Sequence, residues 1–320
     1  MEQERHEQTQ RNLEAEQERH ESTRRDLQAE QERHEVTRRN LEVERDETSS
    51  GNQSGEIELR RTSGVEENRH AWILDRIEVE VTEKVLGRGG WGSVLEGRYR
   101  GTIVAVKQIH DLILSPYNRN RFEREMNVAA RCRHPYLLQF IGATNDASPL
   151  FVTELLDTSL RAVLEERALQ LDEQIAISLD VARALNYLHL NRPDPIIHRD
   201  ISSANVLLWK HGERWRAKVS DYGSANFLQH CTTVGPGAMV YCAPEALSPS
   251  RQTVKLDVFS FGVLVCEMNI RELPDFTRRG EQVAMVTNHF LSSLIRRCLV
   301  ENPEERPCMV EILSDLEGQN

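Results

Sequence analysis

The chain is 320 residues long and 39% hydrophobic, enough apolar material for a sizeable core and for one large or two modest domains. A formal net charge of -11, with no block of five or more Lys/Arg, argues against a nucleic-acid partner, because phosphate binding requires a basic patch. No apolar run is long enough to span a bilayer and the opening Met-Glu-Gln-Glu-Arg has no leader character, so neither a membrane partner nor secretion is expected, and a cytoplasmic location is.

The first seventy residues hold few large apolar side chains, which puts the core downstream. Residues 2–43 are three tandem copies of a fourteen-residue unit, EQERHEQTQRNLEA, EQERHESTRRDLQA and EQERHEVTRRNLEV. Fourteen is two heptads, so each copy returns to the same helix face. With Leu13, Leu27 and Leu41 at position a, the alternate a positions are His6, His20 and His34, and the d positions fall on Thr and Glu. That seam is poor, although Glu and Arg neighbours such as Glu2 with Arg5 and Glu16 with Arg19 support a solvated helix. Residues 1–45 are therefore open to three readings: a charged helical arm, a weak coiled coil that self-associates or binds a partner, or disorder. Residues 46–70, rich in Ser, Thr, Gly and charge, read as a linker, and residues 71–318 as the folded domain.

Beyond Trp72, Ile77, Val79 and Val81 alternate with polar residues in a strand pattern that runs into Gly87-Arg88-Gly89-Gly90-Trp91-Gly92-Ser93-Val94. A dinucleotide-binding turn with this glycine spacing would open a helix, whereas Val94 to Tyr99 keep alternating. The glycines therefore cap a hairpin whose backbone N–H groups can approach a triphosphate, with Val94 as an apolar surface for a base. A third strand, residues 102–109, carries Lys107 amid apolar neighbours. Lys107 is either a snorkelling edge residue or the partner of Glu125, which lies eighteen residues on in a helical pattern and is otherwise one more solvated charge. His134-Pro135-Tyr136-Leu137-Leu138 reads as a helix stop and a further strand, and Leu150 to Leu156 as an apolar run. Leu171 to Leu190, with Ile175, Leu179, Ala182, Leu185 and Leu188 in register, reads as a buried amphipathic helix. The expected class is α+β, a β-rich half before a helical one.

That helix delivers His198-Arg199-Asp200, with Asn205 five residues after the aspartate and Asp221-Tyr222-Gly223 further on. Transfer of a γ-phosphoryl group needs a carboxylate to take the acceptor's proton and oxygen ligands for Mg²⁺. Asp200 suits the first task, Asn205 and Asp221 the second. The cysteines, Cys132, Cys231, Cys242, Cys266, Cys298 and Cys308, form no C-x-x-C pair and read as reduced thiols.

In this order, GRGGWGSV, VAVK, HRDISSAN, DYG, YCAPE and DVFSFG resemble the eukaryotic protein kinases, and in flavour their tyrosine-kinase-like branch, over about Trp72 to Leu316. The resemblance implies a bilobal fold with ATP in the cleft and a protein substrate. It implies that Gly87, Gly89, Gly92 and Lys107 meet the phosphates, that Val94, Ala105 and Leu207 enclose the adenine, and that Thr153 is the gatekeeper beside the hinge, Glu154 to Leu156. It further implies catalytic roles for Lys107, Glu125 and Asp200, metal ligation by Asn205 and Asp221, a pair between Glu245 and Arg306, and Asp257 as an anchor below the catalytic loop. Arg199 implies an activation loop ordered by phosphate, with Thr232 and Thr233 as acceptors and Tyr241 more suited to packing.

Several positions depart from the family pattern. Ser202 stands where serine/threonine kinases carry a lysine, Ala204 is not the arginine of tyrosine kinases, and Ala238-Met239 lacks the usual threonine. Tyr222 replaces a phenylalanine, and only about fifty residues separate Asp257 from Arg306. The expected function is an ATP-dependent kinase, nominally serine/threonine specific with dual or tyrosine specificity open. The alternative is a pseudokinase scaffold that assembles partners through the N-terminal arm.

Overall fold

A computed structural model describes residues 71–89, 92–108, 123, 126–146, 148–221, 239–248 and 252–319. The fourteen-residue repeats and the linker lie outside the described residues. The first half of the described chain is a five-stranded antiparallel sheet of β1 (Val79–Gly89), β2 (Gly92–Tyr99), β3 (Thr102–Gln108), β4 (Phe140–Ala143) and β5 (Leu150–Glu154), ordered β1-β2-β3-β5-β4. The glycine-rich run does join β1 to β2 as a hairpin, with Gly87 opposite Val94 and Gly89 opposite Gly92. Two-residue periodicity sorts β3: Val104 and Val106 are wholly buried against Leu150 and Val152, and Ala105 and Lys107 face the other way.

Two sequence-based expectations shift. Ile77 is 86% exposed and sits in a 3-10 turn, Arg76–Glu78, because the Asp75 side chain accepts the Ile77 N–H and caps that turn, so the strand starts only at Val79. Residues 136–138 are not a full strand either. Leu137 makes one parallel bridge to Val219, and β4 begins at Phe140.

The second half is mostly helical. A three-stranded sheet of β6 (Thr158–Ser159), β7 (Val206–His211) and β8 (Arg214–Val219) lies beside α1 (Leu160–Glu166) and α2 (Leu171–His189). These are followed by α3 (Lys255–Ile270), α4 (Arg279–Ala284), α5 (His289–Cys298) and α6 (Met309–Glu317). Ile175, Leu179, Ala182, Leu185 and Leu188 of α2 all face the core. In α3 every residue from Leu256 to Met268 is buried, as expected of a helix apolar on all sides. The polar exceptions on that helix organise the site.

Candidate active site

The catalytic loop runs from the end of α2 to β7 and hangs on one carboxylate. Asp257, at the start of α3 and fully buried, accepts the backbone N–H of His198 at 2.8 Å and that of Arg199 at 2.7 Å, and bonds His189 Nε2 at 2.8 Å. Burial alone pushes its pKa up, but the bonds from His189 and the Arg199 N–H outweigh it and hold Asp257 below the usual carboxylate range. Arg199 is left-handed at φ 69, a conformation costly for a side chain with a Cβ, which the two Asp257 bonds hold in place. The buried His198 ring donates from Nε2 to the Ser220 carbonyl at 2.7 Å and accepts the Asp200 N–H at Nδ1, a pattern that selects the neutral Nε2–H tautomer.

Asp200, Asn205 and Asp221 are drawn together from this frame. Asn205 Nδ2 donates to both the carbonyl and Oδ2 of Asp200, each at 2.8 Å, which commits the amide nitrogen and turns its oxygen into the remaining acceptor. Ser220 donates to the Asn205 carbonyl from its N–H at 2.8 Å and its hydroxyl at 3.0 Å, tying the segment that carries Asn205 to the one that carries Asp221 before Asp221 turns left-handed at φ 59. Lys107 reaches from β3 to Asp221 Oδ2 at 2.8 Å. Burial raises the Asp221 pKa, yet the Lys107 charge and hydrogen bond leave it below the ordinary value.

Thr153 on β5 lies opposite Ala105 on β3 and is 6% exposed. Val94, Ala105, Leu156 and Leu207 are half-buried, an apolar lining short of closure. The Glu154 side chain accepts Gln139 N–H and Lys218 Nζ, both at 2.6 Å, fixing the start of the segment that follows β5. A β-carbon placed on Gly87 would meet nothing within 4 Å, so its lack of a side chain answers no contact within the protein. Glu125, Thr232 and Thr233 lie outside the described residues.

The family model of the protein kinase domain matches residues 81–316. The chain belongs to the eukaryotic protein kinase family. Within it the chain falls in the tyrosine-kinase-like branch. Similar proteins include the probable serine/threonine-protein kinase drkD of Dictyostelium discoideum, 32% identical over 79% of this chain and 20% of the relative. The serine/threonine-protein kinase TNNI3K of Homo sapiens is 35% identical over 75% of this chain and 31% of its own length. The LRR receptor-like serine/threonine-protein kinase FEI 2 of Arabidopsis thaliana is 32% identical over 77% of this chain and 47% of its own. The chain thus spans less than half the length of each of these relatives.

Glu245 and Arg306 meet, the pair that the family resemblance implied. Arg306 is 2% exposed and its five N–H groups find five acceptors: both Glu245 oxygens at 2.5 and 2.9 Å, and the carbonyls of Val300, Lys255 and Glu301. The guanidinium also lies 4.9 Å from the centre of the Phe259 ring, and Lys255 Nζ returns a bond to the Arg306 carbonyl. Tyr241 packs, at 2% exposure.

Other contributors gave no local sequence signal. Asp180 on α2 grips Arg216 of β8 through both carboxylate oxygens, at 2.8 and 2.9 Å, and takes the Ala217 N–H, seating β8 on the helix. Trp72, 2% exposed, donates to Asn127 at 2.8 Å, and its carbonyl accepts Ala143 N–H, so the residues before β1 pack against the β4 edge of the five-stranded sheet. A paired Asp or Arg far apart in sequence looks like any surface charge until the fold joins them.

Proposed function

We propose that the chain is an ATP-dependent protein kinase that transfers the γ-phosphate to hydroxyl groups of a protein substrate, nominally serine or threonine. The observation that carries this reading is the convergence of Asp200, Asn205, Asp221 and Lys107 from three segments of the chain, with Lys107 bonded to Asp221 and Asn205 to Asp200 at 2.8 Å. The names of the relatives, all serine/threonine kinases, support the acceptor class. In this reading Asp200 orients the acceptor hydroxyl and takes its proton, and Lys107 leaves Asp221 to hold the phosphates with Glu125 behind it. Gly87, Gly89 and Gly92 offer backbone N–H groups to the triphosphate. Val94, Ala105, Thr153, Leu156 and Leu207 line the adenine site, and the backbone of Glu154 binds its edge.

The donor set suits a hard divalent ion. The Asn205 amide oxygen and the Asp221 carboxylate are sparse oxygen ligands of the kind Mg²⁺ accepts while sharing phosphates. When bound, the ion neutralises charge on the phosphates. Residues 71–318 form the kinase domain of this reading, residues 46–70 its linker and residues 1–45 an arm for self-association. Phosphate on Thr232 or Thr233 pairs with Arg199 and orders the activation loop.

Incorporation of label from ATP and Mg²⁺ into a protein acceptor tests the central reading. The parent chain should incorporate phosphate and Asp200→Asn should not; equal incorporation by both would refute it. Sedimentation of residues 1–48 tests the arm, with a monomer at micromolar concentration counting against it. Thr232→Ala/Thr233→Ala, if as active as the parent, removes the loop phosphorylation.

A further inference from the structure

The three residues between Ile201 and Asn205, Ser202-Ser203-Ala204, match neither acceptor class, and the middle one has a definite environment. Ser203 is wholly buried, and its hydroxyl donates to Glu267 Oε1 at 2.9 Å and accepts Arg161 Nε at 2.7 Å. The Tyr241 hydroxyl, from the segment just ahead of Ala243-Pro244-Glu245, mirrors it. It donates to Glu267 Oε2 at 2.6 Å and accepts Arg161 Nη2 at 2.6 Å. The two hydroxyls are 3.3 Å apart, and Arg161 Nη2 lies 3.3 Å from Glu267 Oε1. A guanidinium fork and a carboxylate thus face each other with two hydroxyls set between them, each accepting from the cation and donating to the anion. Every bond in this ring has a charged partner, the stronger class of hydrogen bond.

The ring joins four elements. Arg161 sits at the start of α1, where its N–H also bonds the Ser203 carbonyl at 2.9 Å. Glu267 is on α3, 3% exposed, and helical spacing puts it on the same face as Asp257 and Ser260. Those two hold the other ends of the same segments: Asp257 the His198 and Arg199 amides, Ser260 the Tyr241 carbonyl at 2.9 Å. One buried helix face therefore fixes the catalytic loop at both ends and the segment that leads out of the activation loop. Burial pushes the Glu267 pKa up, and the Tyr241, Arg161 and Ser203 contacts offset it only in part, so the carboxylate depends on its donors.

We propose that Ser203 and Tyr241, clamped between Arg161 and Glu267, are positioning residues that hold the segment around Tyr241, and with it the protein acceptor, at a fixed distance from Asp200. They act on the protein substrate and not on ATP, whose contacts lie with Lys107, Asn205 and Asp221. The inference rests on the kinase reading for its kinetic consequence, but the ring itself is a claim about structure. It gives Ser203 a task that local sequence does not reveal: the hydroxyl completes a polar ring that an apolar residue would leave open.

The test uses the full chain, dephosphorylated casein as acceptor, and the variants Ser203→Ala, Tyr241→Phe, their double variant and Ser203→Thr. Each hydroxyl deletion should lower kcat/KM for casein about tenfold, the loss of one charge-assisted bond, with KM for ATP unchanged. The double variant should lose little more than either single one, because the ring acts as a unit, and Ser203→Thr should restore activity. Amide hydrogen exchange should quicken in both 198–206 and 239–247 in Ser203→Ala. An unchanged kcat/KM for casein, an equal effect on KM for ATP, or losses that simply multiply would overturn the proposal. If the parent labels no acceptor, the kinase reading fails, and the exchange rates alone decide the ring: unchanged rates in 239–247 sink it.

Discussion

Lys107 and Asp221, 114 residues apart in sequence, share a 2.8 Å ion pair across the cleft between the sheet and the catalytic loop. The bond uses one of three Lys107 N–H donors and one Asp221 oxygen, so each group keeps capacity for a further partner while their charges offset one another. Asp221→Asn should therefore bind metal-free ATP at least as tightly as the parent, because the amide neither offsets the Lys107 charge nor repels the phosphates. The added affinity that Mg²⁺ brings to the parent should vanish, and turnover should fall by about 10²–10³, the usual cost of losing one transition-state charge contact. Calorimetric titration with ATP, with and without Mg²⁺, checks this. A variant that still gains affinity from Mg²⁺ would show that Asp221 is not the ligand.

Asp257 makes stability depend on acid. Its folded pKa is depressed, so its contribution is fully present above the unfolded carboxylate value, about 4, and is lost as pH falls through the lower folded value. Asp257→Asn should cost about 3 kcal/mol at pH 7, since it withdraws charge from two backbone N–H groups and His189 in a buried site. It should also flatten the fall in stability as pH drops below about 4, the unfolded carboxylate value. Urea unfolding at a series of pH values gives both numbers. Parallel acid limbs for parent and variant would locate the acid sensitivity elsewhere.

Much of this fold was legible because burial follows period. The alternation in β3 exposes Ala105 and Lys107 to the cleft and hides Val104 and Val106, and the three-to-four spacing of α2 buries five named positions. Asp200, Asn205 and Asp221 stood out because phosphoryl transfer would demand those residue types at near-fixed spacing, and the fold bonds Asn205 to Asp200. Ile77 misled because one capping side chain, Asp75, outweighs a three-residue alternation. Glu267, Arg161 and Ser203 were missed for a different reason. Their bonds span 26 to 80 residues, and a glutamate within an apolar helix shows its partner only once the loop is folded over it.

Arg306 should tolerate no substitute. Lysine keeps the charge but offers three donors from a point where five acceptors are arranged around a planar fork. Arg306→Lys should lower stability by about 1–3 kcal/mol, since Glu245 keeps a cation nearby but at least two of the five buried acceptors lose their donors. Glu245→Gln should cost less, because the amide oxygen still accepts one bond. Chemical denaturation of the three proteins gives the order, and a lysine variant within error of the parent would show that charge alone suffices.

Gly262 sits in the middle of α3, where alanine would normally gain about 1 kcal/mol of helix propensity. A β-carbon there would lie 2.6 Å from the Cys298 β-carbon and 3.2 Å from Leu299 Cδ2. The first of these contacts is to a main-chain-bound atom that no rotamer change can move, so α3 and α5 must separate. Overpacking of this kind costs about 1–3 kcal/mol and outweighs the propensity gain, so Gly262→Ala should be destabilised by about 1–2 kcal/mol. Cys298→Ala should fail to rescue it, because alanine keeps the atom that clashes, whereas Cys298→Gly should recover part of the loss. Melting temperatures of the single and double variants distinguish these outcomes, and rescue by Cys298→Ala would mean that the thiol, not the helix spacing, sets the limit.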